Sequence, residues 1–109
     1  MEWMMSRFGL CGTMKALPGQ GDALLALLLQ AADLVATAPG CEVWIVNRVP
    51  DDPDAVWITE VWRSEADHAA SLTVEAVREI ITLARPLIAG MGERFILEPI
   101  GGKGLAESS

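Results

Sequence analysis

The stretch Cys41-Glu42-Val43-Trp44-Ile45-Val46-Asn47-Arg48-Val49-Pro50-Asp51-Asp52-Pro53-Asp54-Ala55-Val56-Trp57-Ile58-Thr59-Glu60-Val61-Trp62-Arg63 decides the fold. Two runs rich in β-branched and aromatic residues, Cys41 to Val49 and Asp54 to Arg63, flank Pro50-Asp51-Asp52-Pro53. Proline and aspartate favour turns for stereochemical reasons, so the pattern predicts a hairpin with a loop of about four or five residues. The second run is apolar on both alternations, with Val56, Ile58 and Trp62 on one side and Trp57 and Val61 on the other. A strand with one wet face alternates apolar with polar residues. Both faces of this one are therefore expected to be covered.

Outward from the hairpin the pattern turns helical. Ser64 reads as an N-cap, with Glu65 and Asp67 in a first turn whose dipole favours anions, and a short helix runs to about Leu72. Thr73 is placed to cap a further segment with Val74, Val77, Ile80, Ile81 and Ala84 on one face. Pro86 disfavours helical geometry at Arg85, Gly90 and Gly92 read as the break, and Glu93 to Ile100 reads as a last strand. Upstream, Arg7 to Leu17 is an expected strand. The turn Leu17-Pro18-Gly19-Gln20-Gly21-Asp22 offers Asp22 as an acceptor for helix amides. The helix from Ala23 shows only Gln30, Asp33 and Thr37 on a narrow polar stripe and ends at Ala38-Pro39-Gly40. So thin a solvent face must be covered on more than one side.

The order is strand, helix, strand, strand, helix, strand. This is the α+β, ferredoxin-like βαββαβ arrangement, a four-stranded antiparallel sheet with helices on one face. The 109 residues make one domain, with a core from about 7 to 102 and a loose tail over 103–109. A globule of this size buries only about two-thirds of the surface its unfolded chain exposes, yet 51% of the residues are apolar. A homodimer with two sheets packed face to face would hide the excess.

The net charge of −7 and the lack of any Lys/Arg cluster exclude the basic footprint that nucleic acids require, and disfavour an anionic membrane surface. Two cysteines, Cys11 and Cys41, are too few for a disulfide scaffold. They read as small core residues that stay thiols in a reducing compartment. Met1 to Met5 lacks a basic-then-apolar leader pattern, and the apolar run from Ala23 to Ala38 is too short to span a bilayer. A cytoplasmic location is expected.

The chain resembles the antibiotic-biosynthesis-monooxygenase-like family of small dimeric α+β barrels. The resemblance lies in Lys15-Ala16-Leu17-Pro18-Gly19, in Ala38-Pro39-Gly40-Cys41, in Trp57-Ile58-Thr59-Glu60-Val61-Trp62-Arg63-Ser64-Glu65 and in Arg85-Pro86-Leu87-Ile88-Ala89-Gly90, and runs from about Arg7 to Gly102. It implies a dimeric barrel, and an activity among those of the family: cofactor-free oxygenation of phenols and hydroquinones, or heme degradation. Many members carry a histidine in the short helix, at the position aligned with Ser71. Here the chain's only histidine, His68, stands one turn earlier, where residues three apart share a helix face. The heme-degrading branch would want a histidine near Ile81 and an asparagine near Gly12, and neither is present.

One histidine and scattered acids do not form a metal-ligand set, and no glycine group has the strand-to-helix spacing of a phosphate cradle. A Ser71–His68–Asp67 triad fails because adjacent helical residues diverge by about 100°. No cofactor or metal is expected. What remains is cofactor-independent monooxygenation of a small phenolic or quinol-type compound, with a non-catalytic dimeric module binding an aromatic ligand as the alternative. His68 is the natural proton acceptor, since imidazole titrates near neutrality. Asn47, Thr59, Ser71 and Arg85 are the expected polar anchors, with Trp57 and Trp62, and Trp44 beside them, as aromatic walls. The bland readings are a structural histidine, tryptophans in the core or interface, an Asn47 bonded to backbone, and an Arg85 paired with Glu60 or Glu93.

Overall fold

The computed structural model describes residues 6–105; the Met1–Met5 stretch read for a leader and the last residues of the tail lie outside them. The elements are β1 (Phe8–Ala16), α1 (Gly21–Val35), β2 (Cys41–Val49), β3 (Asp52–Trp62), α2 (Glu65–Ser71), α3 (Glu75–Ala84), a 3-10 turn over Arg85–Leu87, and β4 (Ile88–Leu97). All four strands pair antiparallel in the order β2-β3-β1-β4. This is the expected ferredoxin-like topology.

The alternation of side chains along a strand divides the sheet cleanly. Phe8, Leu10, Met14 and Ala16 of β1 and Val56, Ile58 and Trp62 of β3 turn toward the helices, where Leu24, Leu28, Val35, Val77 and Ala84 meet them. The core has two clusters. One lies at the Val56 end under α1, and the other surrounds Trp62 with Phe8, Val35 and Val77; Trp44 packs against both. The opposite face carries Thr13, Cys11, Gly9 and their register partners Trp57, Thr59 and Val61; among the described residues no helix packs on it, and only Pro99 lies against its Gly9 end. Ile45 is 50% exposed there and Phe95 43%.

Several local expectations are corrected. The hairpin turn is only Pro50 and Asp51, and β3 resumes at Asp52. One step on β2, from Arg48 to Val49, spans Val56 to Asp52 on β3, so the residues expected in the loop form a bulge, where a proline is tolerated. That bulge also caps α1. Asp54 accepts from the backbone N–H of Gly19 and Gly21 (both 3.2 Å to Oδ1), whereas Asp22 lies in the first turn and pairs with Arg48 at 3.0 Å. Gly21 permits this approach, for a Cβ there would sit 1.9 Å from the Pro53 carbonyl oxygen.

Thr73 does not cap α3. Its hydroxyl donates back to the Ala70 carbonyl (2.7 Å) and closes α2. Val74 at the N-cap of α3 is exposed, while within the helix Val77 and Ala84 are buried and Ile80 and Ile81 half-buried. Gly90 and Gly92 do not precede the last strand but belong to it. Close pairing explains two glycines of this strand pair, since a Cβ on Gly12 would lie 2.5 Å from the Glu93 carbonyl oxygen and one on Gly92 would lie 2.9 Å from the Thr13 Cβ, beside the register shift between Gly12 and Met14. Among the described residues, no helix is long and apolar enough to cross a membrane.

Candidate functional site

The helix α2 carries His68 and is fixed at its start. Ser64 stands at the N-cap in extended conformation, and its hydroxyl accepts from the Asp67 backbone N–H (3.1 Å), as expected for this residue type. The Arg63 N–H donates to the Gly40 carbonyl (2.7 Å), tying the end of β3 to the loop before β2. Arg63 and Asp67 pair across one turn at 3.2 Å.

This anchoring lays the His68 imidazole over the Trp62 end of the sheet. Its ring centroid is 5.1 Å from that of Phe8, in a tilted stack, and 5.7 Å from that of Trp62, edge to face at 72°. The side chain is 14% exposed. Its Nε2 lies 3.7 Å from Oε1 of Glu60, itself 12% exposed, and the same oxygen accepts from the Trp62 indole N–H at 2.9 Å. Trp62 is 1% exposed. A carboxylate, an indole donor and an imidazole thus converge at the edge of an apolar cluster, close to solvent.

The cysteine beside this group is a poor nucleophile. Burial pushes the Cys41 thiol above its ordinary range, and the negative charges of Glu60 and then Glu42 push it the same way. Glu42 accepts from the Arg7 guanidinium at 2.6 Å, a half-buried pair. Among the described residues, no three His, Cys, Asp or Glu side chains cluster as a metal site would need.

The residues expected to form one site fall in three places. Trp62, His68 and Ser71 share the helix-covered side. Ser71 is buried, and its hydroxyl donates to the His68 carbonyl at 2.6 Å, so it steadies the last turn of α2. Asn47, Trp57 and Thr59 lie on the uncovered face. The Asn47 amide donates to the Trp57 carbonyl (3.0 Å) and the Thr59 hydroxyl (3.3 Å), and the Trp57 ring meets Phe95 with centroids 6.4 Å apart. Arg85 is exposed in the 3-10 turn, on neither surface's polar group.

Glu60 and Phe8 are the members that sequence reasoning did not name as site residues. The signal for Glu60 was present, since it alternates with Ile58 and Trp62 on a face that is otherwise apolar. A separate recess of about 110 Å³ opens at the other end of the sheet, lined by Gly21, Leu25, Arg48, Pro53 and Val56. Its charged neighbours Arg48 and Asp52 are engaged with Asp22 and Lys15. It therefore offers little for proton transfer.

The family model described as antibiotic biosynthesis monooxygenase matches residues 7–83. Among solved structures, a candidate antibiotic biosynthesis monooxygenase from Chloroflexus aurantiacus is 46% identical over 93% of this chain and 100% of that one, with a TM-score of 0.86. A candidate antibiotic biosynthesis monooxygenase from Caulobacter crescentus, 19% identical over 89% of this chain and 92% of its own, superposes with a TM-score of 0.80. A protein from Pseudomonas aeruginosa, also 19% identical, covers 90% and 98% with a TM-score of 0.80. At that identity the last two show the fold alone. None of the curated proteins matches the chain.

Proposed function

The chain belongs to the antibiotic biosynthesis monooxygenase family, and on that footing we propose that it is a cofactor-independent monooxygenase of a small phenolic or quinol-type compound, with His68 as the base. The observation that carries this reading is the imidazole itself, walled by Phe8 and Trp62 yet reachable from solvent. A proton acceptor held against aromatic rings suits a flat, hydroxylated ring as its partner. In the reaction, the phenol gives its hydroxyl proton to His68 and the phenolate passes one electron to dioxygen. The superoxide and phenoxyl radical so formed combine at a ring carbon to give a peroxide anion, which takes the proton back from His68 and becomes a hydroperoxide. Loss of water then leaves a quinone, so one oxygen atom enters the product and the other departs in water. Trp62 supports the ring of His68, and Ser71 holds the turn of helix beneath it.

The uncovered sheet face suggests the assembly. Two copies joined through Ile45, Trp57, Val61 and Phe95 would bury an apolar surface that each alone leaves open, giving a homodimer with both His68 sites on its outside. A cytoplasmic location accords with such a protein.

The test is dioxygen uptake by purified protein given a panel of hydroquinones and polycyclic phenols, beside a His68→Ala variant. Uptake above the buffer rate that falls at least about a hundredfold in the variant is the expected result. Uptake unchanged in the variant removes His68 from its role. A second reading, a dimeric module that binds an aromatic ligand without turnover, has one observation in its favour: the Ser71 hydroxyl, at the position aligned with the family histidine, is bonded to a backbone carbonyl. No uptake across the panel, with ligand-dependent quenching of tryptophan fluorescence, would establish that reading instead.

A further inference from the structure

Glu60 stands on β3 between Ile58 and Trp62, on the side that faces the helices. The register sets Leu10 on one side of it and Trp44 on the other. A carboxylate so placed loses hydration and must recover it from neighbours. The Trp62 indole supplies one hydrogen bond, to Oε1, and this same oxygen faces Nε2 of His68. The indole therefore fixes the atom that the imidazole meets, while the rings of Trp62 and Phe8 fix the plane in which it lies.

We propose that Glu60 is the positioning residue of His68, holding the ring with its Nε2–H toward the carboxylate and leaving the lone pair on Nδ1. In a neutral imidazole, the partner of one nitrogen decides which of the two carries the proton. At 3.7 Å the contact exceeds a hydrogen bond. The N–H dipole is still favoured in that orientation, and such contacts shorten when a ligand fills a site and excludes water. The proposal rests on the reading of His68 as base for its effect on rate, though not for its effect on the ring.

His68 is the chain's only histidine, so its nitrogen resonances are read without ambiguity. Long-range proton–nitrogen spectra, recorded at a pH where the ring is neutral, should show a protonated Nε2 and an unprotonated Nδ1 in the native protein. Glu60→Gln keeps an acceptor for the Trp62 indole and removes the charge. In that variant the Nδ1–H share should rise several-fold. With a hydroquinone substrate its kcat should fall about tenfold or more while KM stays within about twofold. An equal tautomer share in the two proteins overturns the proposal whatever the rates do. So does a native ring protonated mainly on Nδ1, a result that needs no variant to fold. If the native protein consumes no dioxygen with any substrate, the oxygenase reading falls and the spectra alone decide the role of Glu60.

Discussion

On the helix-covered face of the sheet, Glu60 stands between Ile58 and Trp62; on the uncovered face, Asn47 stands between Ile45 and Val49. Each is a polar side chain in an apolar strand. Asn47 commits its amide to the carbonyl of Trp57 and the hydroxyl of Thr59, both in the adjoining strand. These partners stitch β2 to β3 and cannot change charge. Glu60 commits one oxygen to an indole and turns it toward an imidazole 3.7 Å away, an acid beside a base rather than a strand-to-strand bond. A polar residue on an apolar strand thus announces an unusual partner, and the partner's chemistry separates a stitch from a site.

The largest effect expected from breaking this comparison is at Trp62. It is the most buried tryptophan of the described residues, and Trp62→Ala should cost about 3–5 kcal/mol in denaturant unfolding. The loss combines a cavity beneath His68 with a Glu60 carboxylate deprived of its indole donor. A cost below about 1 kcal/mol would mean that this end of the sheet is looser than its packing suggests. The matching change on the other face is Ile45→Arg, which places a charge where a second copy is proposed to sit. Light scattering should show the mass fall from dimer to monomer while the far-ultraviolet spectrum is kept. A native protein already monomeric at working concentration would sink the proposed assembly.

Most of the fold was legible because it is written in local rules. The hairpin follows from β-branched runs around a Pro/Asp cluster, the Ser64 cap from residue type, and the order of elements along the chain from the alternation of periods. The errors occur where a distant neighbour decides. Asp54 caps α1 from β3, which no inspection of Asp22 could reveal. Gly92 looks like a breaker until β1 comes within reach of β4 at Thr13. The site was less legible for a related reason. Trp62, His68 and Ser71 come together, but whether Asn47 and Thr59 face them depends on strand parity, and the sequence leaves the site side of the sheet open when both sides are apolar. Glu60 could have been found by applying to β3 the argument that drew attention to Asn47 on β2.

Asn47 gives the next smaller effect. Asn47→Ala should cost about 1 kcal/mol, the net worth of such hydrogen bonds, and leave kcat/KM within about twofold. A loss of turnover tenfold or greater would join the two faces functionally and erase the distinction drawn above.

The smallest effect lies at the rim of the uncovered face, where Lys15 pairs with Asp52. The hydrogen bond from Lys15 holds the Asp52 carboxyl below its ordinary range, helped by the Asp54 backbone N–H. A carboxylate whose folded pKa is lowered adds stability above its unfolded value, about 3.9, and loses it as pH falls toward the folded one. Lys15→Met should therefore melt slightly below the native protein at pH 7, and the gap should close as pH drops through the acid range. Exposed pairs contribute little, so the gap at neutral pH should be the least of the set and should shrink with added salt. A gap that persists at low pH would have to come from the lysine's aliphatic stem packing on the sheet. That result would extend the apolar surface of the uncovered face to its rim, and with it the area a second copy could cover.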